Sequence, residues 1–238
     1  MTVLSQPLFR RSSVLLATTA ALGLSLGLLT GCDAELKVPV TLTELEAPEA
    51  PLMAKLSVDV TLCQDHDTQM ESNTLLEAKQ KVGFLFPGAQ YEKCAREGFD
   101  ERALFSVPIT VGTGEDGKCG EESVCLKRIV ADDRVMIGVI PGQKFVKKYE
   151  RLNRGSSSSM LEAKITLLLQ NDTAKAISLD RASVFVVNGK KLVPSHLRQL
   201  DFAPKEGKAL RLSDVMTASI MSGEGTLIAR IHEGEAKK

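Results

Sequence analysis

Ala54-Lys55-Leu56-Ser57-Val58-Asp59-Val60-Thr61-Leu62-Cys63 puts Leu56, Val58, Val60 and Leu62 on one side of an extended chain and Lys55, Ser57, Asp59 and Thr61 on the other. Side chains alternate across a strand with a period of two, so this stretch reads as a strand with one buried and one wet face. Upstream, Leu36, Val38, Val40 and Leu42 alternate in the same way with Lys37, Pro39, Thr41 and Thr43. Proline has no N–H for a ladder, so Pro39 places this second strand at a sheet edge, and residues 44–51 then read as a tether. Downstream, Thr74-Leu75-Leu76-Glu77 has the spacing of a capping box. Leu75, Leu76, Val82 and Phe86 keep helical spacing until Pro87-Gly88 ends the run. Strands at 91–95 and 103–111 complete an order of strand, helix, strand, strand.

Residues 135–140 read as a short buried strand and Pro141-Gly142 as a turn. In 143–153, Phe145, Val146, Tyr149 and Leu152 share one helical face, surrounded by Lys144, Lys147, Lys148, Arg151 and Arg154. A basic amphipathic helix of this kind either meets anionic lipid or an acidic partner, or is simply a solvated face. Gly155 and the four serines at 156–159 read as a flexible connection. Beyond it come a strand at 163–170 and a hairpin of 183–187 and 190–193 about Asn188-Gly189, two residues that tolerate positive φ. Ser213 can cap a helix carrying Val215, Met216, Ser219 and Ile220, with Gly223 closing it before a last strand at 226–231. Met53-Ala54-Lys55-Leu56-Ser57-Val58 also echoes Glu162-Ala163-Lys164-Ile165-Thr166-Leu167, which suggests two related lobes.

At the amino terminus, a basic stretch ending in Arg10-Arg11 precedes an apolar run from Val14 to Leu29 and then a small-residue site at Cys32. That layout is a secretory signal. The run is at the short edge of what spans a bilayer, and no basic stop-transfer cluster follows it. Leu29-Thr30-Gly31-Cys32 resembles the lipobox of bacterial lipoproteins. The resemblance implies diacylglyceryl transfer to the Cys32 thiol, cleavage before Cys32 and acylation of the new amino terminus. One acyl chain holds a membrane marginally, whereas two or three hold it stably. Asp33 resembles the inner-membrane retention signal of enterobacterial lipoproteins. Other Gram-negative groups do not all follow that rule, so the expectation is a lipid-anchored, mostly periplasmic envelope protein on either membrane.

The expected organisation is therefore a signal peptide at 1–31, an acylated tether with an edge strand at 32–52, a first lobe at 53–154, a Gly/Ser linker at 155–159 and a second lobe at 160–238. Its fold class is α+β: strand-rich, with antiparallel sheets, a few short helices and two similar lobes.

With Cys32 assigned to lipid, Cys63, Cys94, Cys119 and Cys125 form an even set in an exported chain, the setting of structural disulfides. Four cysteines allow three pairings; the expected ones are Cys119 with Cys125, across a polar turn, and Cys63 with Cys94. A Cys-x-x-Cys pair is absent from the sequence, and His66, three residues after Cys63, is a weak zinc signal without a second pair. The order of strand, first cysteine, helix, Pro87-Gly88 and second cysteine resembles uncharacterised small envelope lipoproteins of bacteria and prophages. That likeness implies a role in protecting the host envelope from further phage infection.

Other chemistries find little support. The 30 basic and 30 acidic residues balance, and removal of Arg10 and Arg11 leaves the exported chain slightly acidic, without the net attraction that phosphate binding needs. Aromatics are 4% of residues and tryptophan is absent, too few for base or sugar stacking. Gly112-Thr113-Gly114-Glu115-Asp116-Gly117 matches a dinucleotide fingerprint literally, but Lys118-Cys119-Gly120 follows where a helix should begin and the carboxylates would repel phosphate. Glu115, Asp116, Glu121 and Glu122 lack the spacing of a calcium loop. The three histidines, His66, His196 and His232, fall in separate segments, and Ser195-His196 is mere adjacency, since neighbouring strand side chains point apart. The expectation is a non-enzymatic binding or structural module without metal or cofactor beyond the lipid on Cys32. Its partners would be the membrane and an envelope protein, and not nucleic acid. An envelope hydrolase and a small-ligand carrier are the competing readings.

Overall fold

The computed structural model describes residues 33–65, 69–97, 100–114, 118–131, 134–154, 162–181, 184–189, 191–194 and 199–232. The signal segment, Leu29, Thr30, Gly31, Cys32, His66, the 155–159 linker and His196 lie outside the described residues. The chain opens with β1 (Asp33–Thr41), α1 (Leu42–Glu46), β2 (Ala50–Val60), α2 (Asn73–Leu85), β3 (Gln90–Glu97) and β4 (Asp100–Thr113). It continues through β5 (Val124–Ala131), β6 (Arg134–Pro141), α3 (Gln143–Arg154), β7 (Glu162–Gln170) and β8 (Ile177–Arg181). The last elements are β9 (Val184–Asn188), β10 (Lys191–Pro194), β11 (Leu200–Phe202), β12 (Gly207–Leu212), α4 (Asp214–Ser222) and β13 (Thr226–His232).

All these strands join one sheet, ordered β10-β9-β12-β7-β1-β2-β4-β5-β6-β13-β8-β11, with β3 also on β4. The fold is α+β and mostly β, but it corrects two expectations. First, the sheet is mixed: β1 runs parallel to β7 and β4 parallel to β5. Second, the described strands do not divide into two lobes around 155–159. Strands of the second half extend both arms of a sheet whose centre comes from the first half. The echo between β2 and β7 has a spatial meaning instead. These two strands flank β1, so that Leu36 stands opposite Leu56 on one side and Ile165 on the other.

β1 is thus an interior strand and not an edge. Pro39 is tolerated there because the ladder to β2 ends at the Lys37–Lys55 pair, leaving Pro39 with a paired neighbour, Leu168, only on the β7 side. The expected tether after it is α1 and the start of β2. Thr41 and Glu44 make a true capping box: the Thr41 amide donates to Glu44 Oε2 at 2.7 Å, and the Glu44 amide to Thr41 Oγ1 at 3.1 Å. The Thr74/Glu77 box is displaced. Ser72 caps α2, accepting from the Leu75 amide at 3.1 Å, while the Thr74 hydroxyl donates to the Leu62 carbonyl and pins the helix to the end of β2. α4 follows its sequence signals, with Ser213 at its start and Gly223 left-handed at φ 95° at its end.

Alternate residues of the central strands, among them Val38, Val40, Leu56, Val58, Phe105, Val107, Leu167 and Leu169, are buried in one core cluster that also takes in Leu75, Val82, Phe145 and Ile220 of the helices. Each such side chain contributes about 1.5–3 kcal/mol on leaving water. α2 packs on β2 and on α3, and α3 packs on α4. α4 touches β7 as well as β6 and β13, which belong to opposite arms, so the sheet curls around the helices. Among the described residues, no helix is long and apolar enough to cross a membrane.

Gly142 joins β6 to α3 where the 119–125 loop crosses. Its amide donates to the Ser123 carbonyl at 2.8 Å, and a Cβ there would fall inside the carbonyls of Gly120 and Glu121. Gly142→Ala is expected to cost about 1–3 kcal/mol through overpacking. A urea midpoint unchanged from wild type would show that the loop gives way freely.

Candidate binding cavity

The inner face of α2, where Leu75, Ala78, Val82 and Leu85 fall at helical spacing, does not close fully on the sheet. Between it and the starts of β1 and β7 lies a cavity of about 580 Å³. Its walls are apolar: Leu36, Leu56, Val82, Leu85 and Phe86, with Phe145 of α3 at one side. Small residues make the room, since Ala34, Ala78 and Ala163 line it where larger side chains would meet. Phe86 and Phe145 meet with ring centroids 5.3 Å apart and planes tilted by 54°, and both line the cavity.

The rim is polar and more exposed. Asp33 pairs with Lys164 there, Glu77 with Lys81 at 2.7 Å, and Asp59 with Arg102 at 2.8 Å. Burial pushes the Asp59 carboxyl above its usual value; Arg102 opposes this, and the carboxylates of Asp33 and Asp100 add to it. Because the folded value exceeds the unfolded 3.8, the contribution of Asp59 to stability is fully present below 3.8 and lost as pH rises through the folded value. Stability measured by urea titration across that range should therefore move in favour of Asp59→Asn over wild type as pH rises. A constant difference would contradict the assignment.

The disulfides form as expected, Cys63 with Cys94 at 6.2 Å between Cα atoms and Cys119 with Cys125 at 5.6 Å. Glu101 lies beside the first, accepting from the Cys63 amide at 2.6 Å. Among the described residues, Cys63, Cys94 and Glu101 are the group with metal-ligand chemistry, but sulfurs bonded to each other offer no thiolate. The basic helix and the acidic loop, separate candidates in the sequence, meet. Lys144 pairs with Glu121 at 2.7 Å and Lys148 with Glu122 at 3.8 Å, and the Lys144 ammonium lowers the Glu121 carboxyl. Each neutralises part of the other's charge.

Gly112 and Gly114 serve close packing. At φ 140° a Cβ on Gly112 would stand 2.7 Å from the Ala47 carbonyl oxygen, and one on Gly114 would strike the Glu49 carboxylate. Glu115–Gly117 lie outside the described residues. Of the histidines, His232 is described: its imidazole bonds Asp180, while the nearby Ser178 hydroxyl donates to Asp201. With serine and imidazole each bonded to a different carboxylate, the nucleophile–base hydrogen bond of a hydrolase is not made there.

The family model described as Domain of unknown function (DUF7424) matches residues 34–233. The chain belongs to that family. The DUF7424 match takes in every element from β1 to β13 and every lining residue of the cavity except Asp33. Comparisons with curated proteins and with solved structures give no match.

Proposed function

We propose that this protein is an envelope lipoprotein, held to a membrane by acyl chains on Cys32, whose domain is a non-enzymatic binding module for a molecule with an aliphatic chain. The observation that carries the binding part is the cavity of about 580 Å³, whose lining is mostly apolar with charged side chains also on it. Its size falls within the roughly 300–1,000 Å³ usual for small-molecule sites. Apolar walls contribute about 0.8 kcal/mol for each methylene they take from water, and the rim keeps a polar head in solvent. The anchoring part rests on the resemblance of Leu29-Thr30-Gly31-Cys32 to a lipobox at the end of the apolar run.

The cavity replaces the unspecified ligand surface of a general binding module by one place, and it favours the carrier reading over the hydrolase. A Cys32→Ser chain titrated with a fluorescent long-chain fatty acid is expected to bind it saturably, one to one. Ala78→Phe, which fills the cavity from α2, should weaken that binding by about tenfold or more, since each 1.4 kcal/mol of lost burial is a factor of ten. Equal binding by both chains would remove the cavity as the site.

A further inference from the structure

We infer that the cavity holds an acyl chain carried by the protein's own Cys32, an inference that rests on the lipoprotein reading above. Asp33 and Ala34 begin the described fold, and both line the cavity. Cys32 precedes them directly, and adjacent Cα atoms lie about 3.8 Å apart. Anything bonded to the Cys32 sulfur therefore starts within reach of the cavity. From that point β1 leads inward, Asp33 pairing with Lys164 at the rim and Leu36 already forming wall. A chain entering beside Asp33 exchanges water for Leu36, Leu56, Leu85 and Phe145.

Size is compatible with a full acyl chain. A methylene occupies roughly the 30 Å³ of a water molecule in a liquid, so a sixteen-carbon chain needs about 480 Å³. The cavity of about 580 Å³ has room for it. Tethering selects the source: a ligand on a short linker competes at an effective concentration on the order of millimolar, above that of a free amphiphile in the aqueous space. A methylene gains about the same in the cavity as in a bilayer, so a chain enters the cavity from the membrane at little cost. With one chain in the protein and the remaining lipid in the membrane, the cavity mouth is drawn down onto the bilayer surface.

Full-length protein labelled in growing cells with a fatty acid bearing a diazirine and an alkyne tests this. After irradiation of intact membranes and digestion, the labelled Cys32 peptide is expected joined to peptides of α2 and α3 that line the cavity, residues 77–86 and 145–149. In Ala78→Phe and in Ala163→Phe, which fill the cavity from opposite walls, the label should stay on Cys32 while those internal crosslinks fall severalfold. A labelled wild-type Cys32 crosslinked to lipid alone overturns the inference and leaves the lipoprotein reading standing, as do crosslinks undiminished in both variants. An unlabelled Cys32 overturns the lipoprotein reading itself, and the inference with it.

Discussion

Glu49→Ala is expected to destabilise the protein by about 3 kcal/mol, the lower end of the cost of leaving a buried charge without its partner. The charge is Lys127 on β5, whose side chain is 1% exposed. Its ammonium reaches the Glu49 carboxylate and the Lys118 carbonyl oxygen, and without Glu49 the Lys118 carbonyl is the acceptor that remains among the described residues. Glu49 is itself one-third exposed, so water can enter where it is removed, which sets the lower figure. The same physics gives the double variant Glu49→Ala/Lys127→Met a contrary expectation. With the charge gone as well, an apolar chain of similar length fills the site and most of the loss is recovered. Urea denaturation of wild type and both variants measures this; a double variant no more stable than Glu49→Ala would show that the loss was packing and not charge.

Loss of the Cys63–Cys94 disulfide should cost more than loss of Cys119–Cys125. The bonds close loops of 31 and 6 residues in sequence separation. The chain-entropy relation then assigns them about 3.7 and about 2.2 kcal/mol. The long loop also carries α2, so this bond holds one side of the cavity to the sheet edge at β3. Paired alanine variants of each bond, compared by denaturant midpoint under oxidising conditions, should fall in that order. A Cys119→Ala/Cys125→Ala protein less stable than Cys63→Ala/Cys94→Ala would contradict it.

Elements that carry their own local signal were legible. β2 shows clean alternation, α4 has a serine at its start and a glycine at its end, and of the three possible cysteine pairings the expected one, with Cys119 and Cys125 joined across a polar turn, is the one that forms. The hairpin was legible to within one residue: Asn188 pairs with Lys191, so the turn begins at Gly189. What failed were readings that depend on a distant neighbour. Pro39 suggests an edge until β7 supplies a parallel partner from more than a hundred residues away. β5 was missed because Lys127-Arg128 interrupts its apolar pattern, and the buried lysine makes sense once Glu49, brought from the β2 side, and the Lys118 carbonyl stand beside it. Thr74 lost the cap to Ser72 because its hydroxyl is engaged by Leu62. The acidic loop and the basic helix suggested two sites until their contact paired them.

The cavity left one trace in the sequence. Ala34, Ala78 and Ala163 stand in alternation or helical spacing with core Leu, Val and Ile residues, and all three line the cavity. That these alanines converge on one place depends on β1 lying between β2 and β7, which no local pattern announces.

Growth of expressing cells with labelled palmitate tests the central claim most directly. The account predicts label in the wild-type protein, recovered with the membranes, and none in Cys32→Ala. Equal labelling of the two, or none in either, would contradict it.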